Sequence, residues 1–201
     1  LGRLYDFGQS KYNLKLYPCG GLSHASIDAA LALRDNLGKR LSDISSIKVG
    51  VTKNAGQRLG DQYPSTVENS KFSMPYLMAY TLVHGAPMLS AFTEEALHDD
   101  RVKALAKTVS FSIDPEFADL IEVAPSRVRI SLSDGQTVEK MTYDVSGTKQ
   151  SPLSQAQIQE KFFACASQAV SANVAKKIFA MLNTLSDQPS FNDFWPLVRR
   201  S

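Results

Sequence analysis

The sequence predicts an α+β fold, a small sheet with a hairpin and packed helices, followed by a purely helical segment. Three observations carry this. RVRISLSDGQTVEKMTY, residues 127–143, alternates Val128, Ile130 and Leu132 with Arg127, Arg129 and Ser131, and Asp134-Gly135 supplies the turn of a β-hairpin. ISSIKVGVT, residues 44–52, alternates Ile47, Val49 and Val51 with polar neighbours, which reads as a strand. Beyond about residue 150 the strand signals stop and helical periodicity takes over.

The elements follow in order. Residues 1–14 are mixed, with Gly2, Gly8 and scattered tyrosines, and read as a linker. A helix is predicted over Ser23–Leu37, with Ser23 as N-cap, Ile27, Ala30 and Leu31 on one face, and Gly38 as the stop. After the first strand, residues 53–70 are polar with Gly and Pro and read as a long loop, a length usually tied to function. KFSMPYLMAYTLVHG then predicts a buried helix over about Phe72–Val83, with Pro75 in its first turn. FTEEALHDDRVKALAK splits into two short helices, one capped by Thr93 and one by Asp99 or Asp100. Val109–Ile113 reads as a strand before the Asp114-Pro115 turn. Ser154 and Gln157 form a capping box that opens two helices over about 154–185, and the tail SFNDFWPLVRRS is aromatic and basic. The predicted layout is a linker over 1–14, an α+β domain over 15–149 and a helical segment over 150–201.

Composition narrows the function classes. The 201 residues are 43% hydrophobic and 21% charged, as in an ordinary globular chain. A formal net charge of +2 gives no reason to expect a nucleic-acid partner. No apolar run reaches membrane-spanning length and the start has no signal-peptide shape, so no membrane partner is expected and a cytoplasmic location is. The two cysteines, Cys19 and Cys165, are far apart and in no C-x-x-C pattern, which predicts free thiols and no metal site. Cys165 is expected to pack within its helix. His84 is expected to cap the end of its helix, His98 to be exposed, and Arg127 and Arg129 to be solvated charges.

KLYPCGGLSH, residues 15–24, is the one stretch that suggests chemistry. Two permissive glycines, Gly20 and Gly21, let the backbone approach a ligand closely. A helix start follows, where unpaired N–H groups and the dipole favour a carboxylate or phosphate. Lys15 supplies a full positive charge. His24, in the first helical turn, has its protonated form disfavoured, and a neutral imidazole can accept a proton or donate a hydrogen bond. On spacing alone, an ordinary turn beside a solvated lysine is the simpler reading.

KLYPCGGLSHASIDAALALRDN, KFSMPYLMAYTLVHG, FTEEALHDDRVKALAK, DPEF, the RVRISLSDGQT hairpin and PLSQAQIQEKF, taken in order, resemble the MmgE/PrpD family. That family includes 2-methylcitrate dehydratase, cis-aconitate decarboxylase and iminodisuccinate epimerase. The resemblance implies a large N-terminal helical domain, a smaller α+β lid domain, and a C-terminal return to the helical domain. This chain resembles the lid and the return only. It is therefore expected to be the C-terminal part of a cofactor-independent lyase or isomerase acting on a small di- or tricarboxylate, inactive by itself. The expected partners are that substrate, the missing N-terminal helical domain and a second copy in a homodimer.

The resemblance also assigns residues. Lys15 matches the active-site lysine of a K-x-[FY]-P segment, and His24 a histidine common at the end of that segment. Tyr76 resembles an active-site tyrosine of the decarboxylase branch. Catalytic roles are thus expected for Lys15, His24 and Tyr76; from the turn and helix starts themselves, substrate contacts are expected for Gly20, Gly21, Ser23 and Ser73, although Ser73 could equally cap its helix. In the decarboxylase branch a histidine closely follows the segment's proline, where this chain has Gly20, so cis-aconitate decarboxylation is not the expected reaction. A rival of another class is a noncatalytic binding domain that retains the lid fold.

Overall fold

A computed structural model describes residues 13–38, 40–120, 124–187 and 190–198. Apart from residues 13 and 14, the predicted linker lies outside the described residues. The chain divides into two compact units, one up to Pro152 and the other from Leu153.

The first unit is α+β, as the sequence predicts. Its sheet has four strands, β1 (Ile44–Val51), β2 (Val109–Ile113), β3 (Ser126–Leu132) and β4 (Thr137–Thr142), in the order β2-β1-β3-β4. β1 runs parallel to β2 and antiparallel to β3, and β3 and β4 form the predicted hairpin. Gly135, at φ +86°, makes the hairpin turn. The register puts Val49 opposite Val128 and Ile47 opposite Ile130, so the apolar residues of both strands share one face. Two helices, α1 (His24–Leu37) and α4 (Met74–His84), pack on the sheet and on each other. α4 is buried from Met74 to Leu82, as an all-round apolar helix must be. A buried hydroxyl relay ties α1 to the sheet: Ser26 donates to Ser126, and Ser126 donates to the Gly50 carbonyl.

Several expectations need correction. The 53–70 segment is not a plain loop. It holds α2 (Lys53–Arg58) and α3 (Val67–Ser70), because Thr52 caps Ala55 N–H and Thr66 caps Asn69 N–H. Its middle is pinned as well, with Gly60 N–H on the Phe72 carbonyl and Met74 N–H on the Gly60 carbonyl. α4 starts at Met74 rather than Phe72, since Ser73 caps it by accepting Tyr76 N–H. Ser23 is not a side-chain cap. A 3-10 turn, Gly21–Ser23, precedes α1, and the Ser23 hydroxyl donates backwards to the Gly20 carbonyl. His84 does not cap its own helix. Gly85, at φ +96°, closes it, and His84 reaches a different helix instead.

α5 (Glu94–Leu97) and α6 (Asp100–Ala106) are capped by Thr93 and Asp99, as predicted, and His98 is exposed. Arg127 is no free solvated charge. It bonds to Asp114 at 2.9 Å, to Glu139 at 3.3 Å and to Glu116, while Arg129 bonds to Glu139 at 2.6 Å.

The second unit is helical: α7 (Gln155–Ala166), α8 (Ala172–Asn183) and α9 (Trp195–Val198). The Ser154/Gln157 capping box is complete. Phe162, Phe163 and Phe179 gather with ring centroids 5.1–5.4 Å apart. Ile178 is buried, but Trp195 is half exposed. Cys165 is exposed rather than packed, on a helix that buries none of its residues.

Candidate functional site

The stretch from Lys15 to His24 folds back on itself. Lys15 Nζ donates to the Cys19 carbonyl at 3.2 Å. Its chain runs beside Gly21, where an added Cβ would sit 3.4 Å from Lys15 Cε, so a bare backbone lets the ammonium lie close. Gly20 serves a different contact. Its N–H donates to the Lys71 carbonyl at 2.8 Å, and an added Cβ would stand 3.0 Å from the Phe72 ring. Ser23 N–H donates to the Gly20 carbonyl, and His24 N–H to the Gly21 carbonyl. The turn therefore spends the amides of Gly20, Ser23 and His24 internally. Gly21 and Leu22 are both cleft-lining residues.

His24 is buried in the first turn of α1. The Tyr17 ring stands edge-on to it, with centroids 5.1 Å apart. Lys15, Gly21, Leu22 and His24 line a cleft of 490 Å³, and residues 143–146, Thr148 and Gln150 line it from a later segment of the chain. That segment is fastened by Leu14 N–H donating to the Gly147 carbonyl at 2.9 Å. Gly147 has φ +93°, and a Cβ there would run into the Leu14 carbonyl, so only glycine fits.

The structure thus brings Lys15, Gly21 and His24 to one cleft, while Gly20 and Ser23 are not among its lining residues and instead hold the turn through backbone hydrogen bonds. Ser73 and Tyr76 lie elsewhere. The Ser73 hydroxyl caps α4 and donates to the Gln62 carbonyl at 2.7 Å. Tyr76 is wholly buried, donates to the Ala91 carbonyl, and belongs to a row of rings formed by Tyr63, Tyr76, Tyr80 and His84. Burial pushes its phenol above the ordinary range, with Tyr80, Tyr63 and Asp99 adding to the effect. Sequence reasoning missed Asp28 and the 143–150 wall. The only signal for Asp28 was a carboxylate one turn after His24 on a largely apolar helix.

At the far end of that row, His84 Nε2 donates to Asp99 Oδ2 at 2.7 Å. Burial alone would raise the Asp99 carboxyl. Hydrogen bonds from the His84 and Arg101 side chains and from the Arg101 and Val102 amides outweigh it, holding the carboxyl at about 2 against an ordinary 3.8. A folded value below the unfolded one adds stability above about pH 4, and that stability fades as pH falls toward 2. Melting temperatures taken across this window should therefore fall more steeply for the parent than for Asp99→Asn. Equal slopes would show that the contacts to Asp99 contribute no charge-dependent stability.

Comparison with known proteins follows the same lines. The MmgE/PrpD C-terminal domain matches residues 17–187. The chain is 24% identical to human cis-aconitate decarboxylase over 182 residues, which cover 89% of this chain and 38% of that protein. It is 27% identical to cis-aconitate decarboxylase of Aspergillus terreus over 176 residues, covering 82% of this chain and 36% of that protein. The chain therefore spans under two fifths of the length of these relatives. With the α+β fold and hairpin in place and the match running over most of its length, the chain belongs to the MmgE/PrpD family, as its C-terminal domain.

Proposed function

We propose that the protein is the C-terminal portion of a cofactor-independent lyase or isomerase acting on a small di- or tricarboxylate. The reaction is proton abstraction next to a carboxylate. Either loss of hydroxide from the neighbouring carbon (dehydration) or reprotonation on the other face (epimerisation) follows. The observation that carries this reading is the Lys15 ammonium lying along Gly21 in the same cleft as the buried His24. A cation and preorganised amides stabilise the charge that builds on a carboxylate as the neighbouring carbon loses its proton. His24 can relay a proton to or from the departing or returning group. The main base comes from the N-terminal helical domain expected upstream.

The relatives named above are decarboxylases, but Gly20 favours the other reactions. The Phe72 ring occupies the space beside it, and a histidine there would have to displace that ring. A site that differs at this position is read as dehydratase- or epimerase-like.

Citrate serves as a probe tricarboxylate. It should raise the melting temperature of the 201-residue chain in a concentration-dependent way, as linkage requires. Lys15→Met should weaken citrate binding by about tenfold or more, because a charged hydrogen bond is worth about 1.5–3 kcal/mol. The unliganded melting temperature should stay near parental. Parental citrate affinity in Lys15→Met would remove Lys15 from the site.

A further inference from the structure

We propose that Asp28 is the positioning residue of this cleft, one carboxylate that orients Tyr17, and through it His24, while holding the 143–150 segment in place. The inference rests on the cleft reading above and extends it to residues that touch no substrate.

The geometry is specific. Asp28 Oδ1 accepts the Tyr17 hydroxyl at 2.7 Å, and Oδ2 accepts Ser146 N–H at 3.0 Å. Both oxygens are thus committed to segments that the chain brings from far apart, 11 residues before Asp28 and 118 after it. Hydrogen bonds to an ionised carboxylate are stronger than neutral ones, so each arm is a firm one. Asp28 sits four residues after His24 on α1, hence on the same helix face, one turn along. Anchor and functional imidazole therefore share one rigid element.

Tyr17 closes the arrangement. Its hydroxyl is fixed by Asp28, and its ring stands edge-on to the imidazole at an interplanar angle of 67°. Pinning the ring restricts how the imidazole can turn, and the turn decides which nitrogen faces a ligand. The second arm matters for the cleft itself. Ser146 belongs to the 143–150 segment that lines the same cleft, so one carboxylate ties both the imidazole's ring neighbour and that segment to α1. Sites hold their geometry only when supporting residues lock the residues that act.

A merely structural clamp would stabilise the fold without controlling His24, so the readout must be the imidazole. The chain has three histidines, which keeps the ring-proton region of the NMR spectrum assignable by single substitutions. In the unliganded chain, Asp28→Ala and Tyr17→Phe should each move or broaden the His24 ring resonances and leave those of His84 and His98 in place. Asp28→Asn should restore the parental resonances, because its amide can accept Ser146 N–H and donate to the Tyr17 oxygen. Citrate binding should weaken by about threefold to tenfold in Asp28→Ala, the loss expected for one displaced hydrogen-bonding group, and recover in Asp28→Asn. If Asp28→Ala does not fold, Tyr17→Phe and Asp28→Asn carry the comparison. Parental His24 resonances in a folded Asp28→Ala or in Tyr17→Phe overturn the proposal, whatever citrate does. Normal resonance changes with no citrate binding by the parent uphold the positioning role and overturn the substrate reading instead.

Discussion

Gly50→Ala is expected to destabilise the protein by about 3 kcal/mol, combining overpacking with the loss of a charged hydrogen bond. A glycine inside a strand usually weakens it, so its presence marks a close approach. Here the approach is from Asp114. A Cβ on Gly50 would meet Asp114 Oδ2 at 2.7 Å and Asp114 Cβ at 2.9 Å. The second contact is not the loose tip of a side chain. Asp114 is held by its own N–H on the Val51 carbonyl and by accepting Glu116 N–H. It must therefore rotate away from Arg127, or the turn after β2 must deform. Either route breaks the 2.9 Å bond between Arg127 and Asp114 and loosens the cluster with Glu116 and Glu139. The expected fall in melting temperature is roughly 6–12 °C for a chain of this size. The test of the cause is a cycle. In an Asp114→Gly background the same substitution should cost almost nothing, because the obstructing side chain, Cβ included, is gone. A full penalty in that background would place the cause in the β1 backbone rather than in Asp114.

That glycine also shows where the sequence was readable and where it was not. The alternation in ISSIKVGVT placed the strand, since a period of two is local and the core demands it. Nothing local said that Asp114, 64 positions on, would lie over Gly50, or that Arg127 would be drawn in from a third strand. Arg127 read as a solvated charge because its partners come from the turn after β2 and from β4, which only the sheet register assembles. Caps were legible for the same reason that strands were. Thr93, Asp99 and Ser154 bond to amides two or three residues away. Ser23 was misread because a 3-10 turn precedes the helix and its hydroxyl donates back to the Gly20 carbonyl. The cleft divided similarly. Lys15, Gly21 and His24 lie within ten residues and were visible together. Asp28's tie to Ser146 spans 118 residues and was not.

Tyr76→Ala should be among the most damaging single changes in the first unit, at about 3–5 kcal/mol for a deleted core aromatic. Tyr76 is wholly buried in α4, between Tyr63 and Tyr80, with ring centroids 5.8 Å away on both sides. Alanine would leave a cavity and strand the Ala91 carbonyl that now accepts the phenol. Tyr76→Phe separates the two contributions. It keeps the ring and removes only the donor, so its cost should be about 1–3 kcal/mol, the penalty of a buried acceptor left without a partner. The pair of variants also decides what Tyr76 is for. A proton donor to substrate must release the Ala91 carbonyl and reach the ligand. A phenol whose ionised form is disfavoured by burial, engaged with backbone and apart from the Lys15 cleft, is expected instead to fasten α4 to the turn at Ala91. Tyr76→Phe should then lower the melting temperature while leaving citrate affinity per folded molecule, and turnover in the full-length enzyme proposed above, near parental. A folded Tyr76→Phe enzyme that has lost turnover by two orders of magnitude or so, roughly 2.7 kcal/mol of transition-state stabilisation, would return Tyr76 to the active site. It would also require α4 and the Lys15 cleft to act on the same substrate.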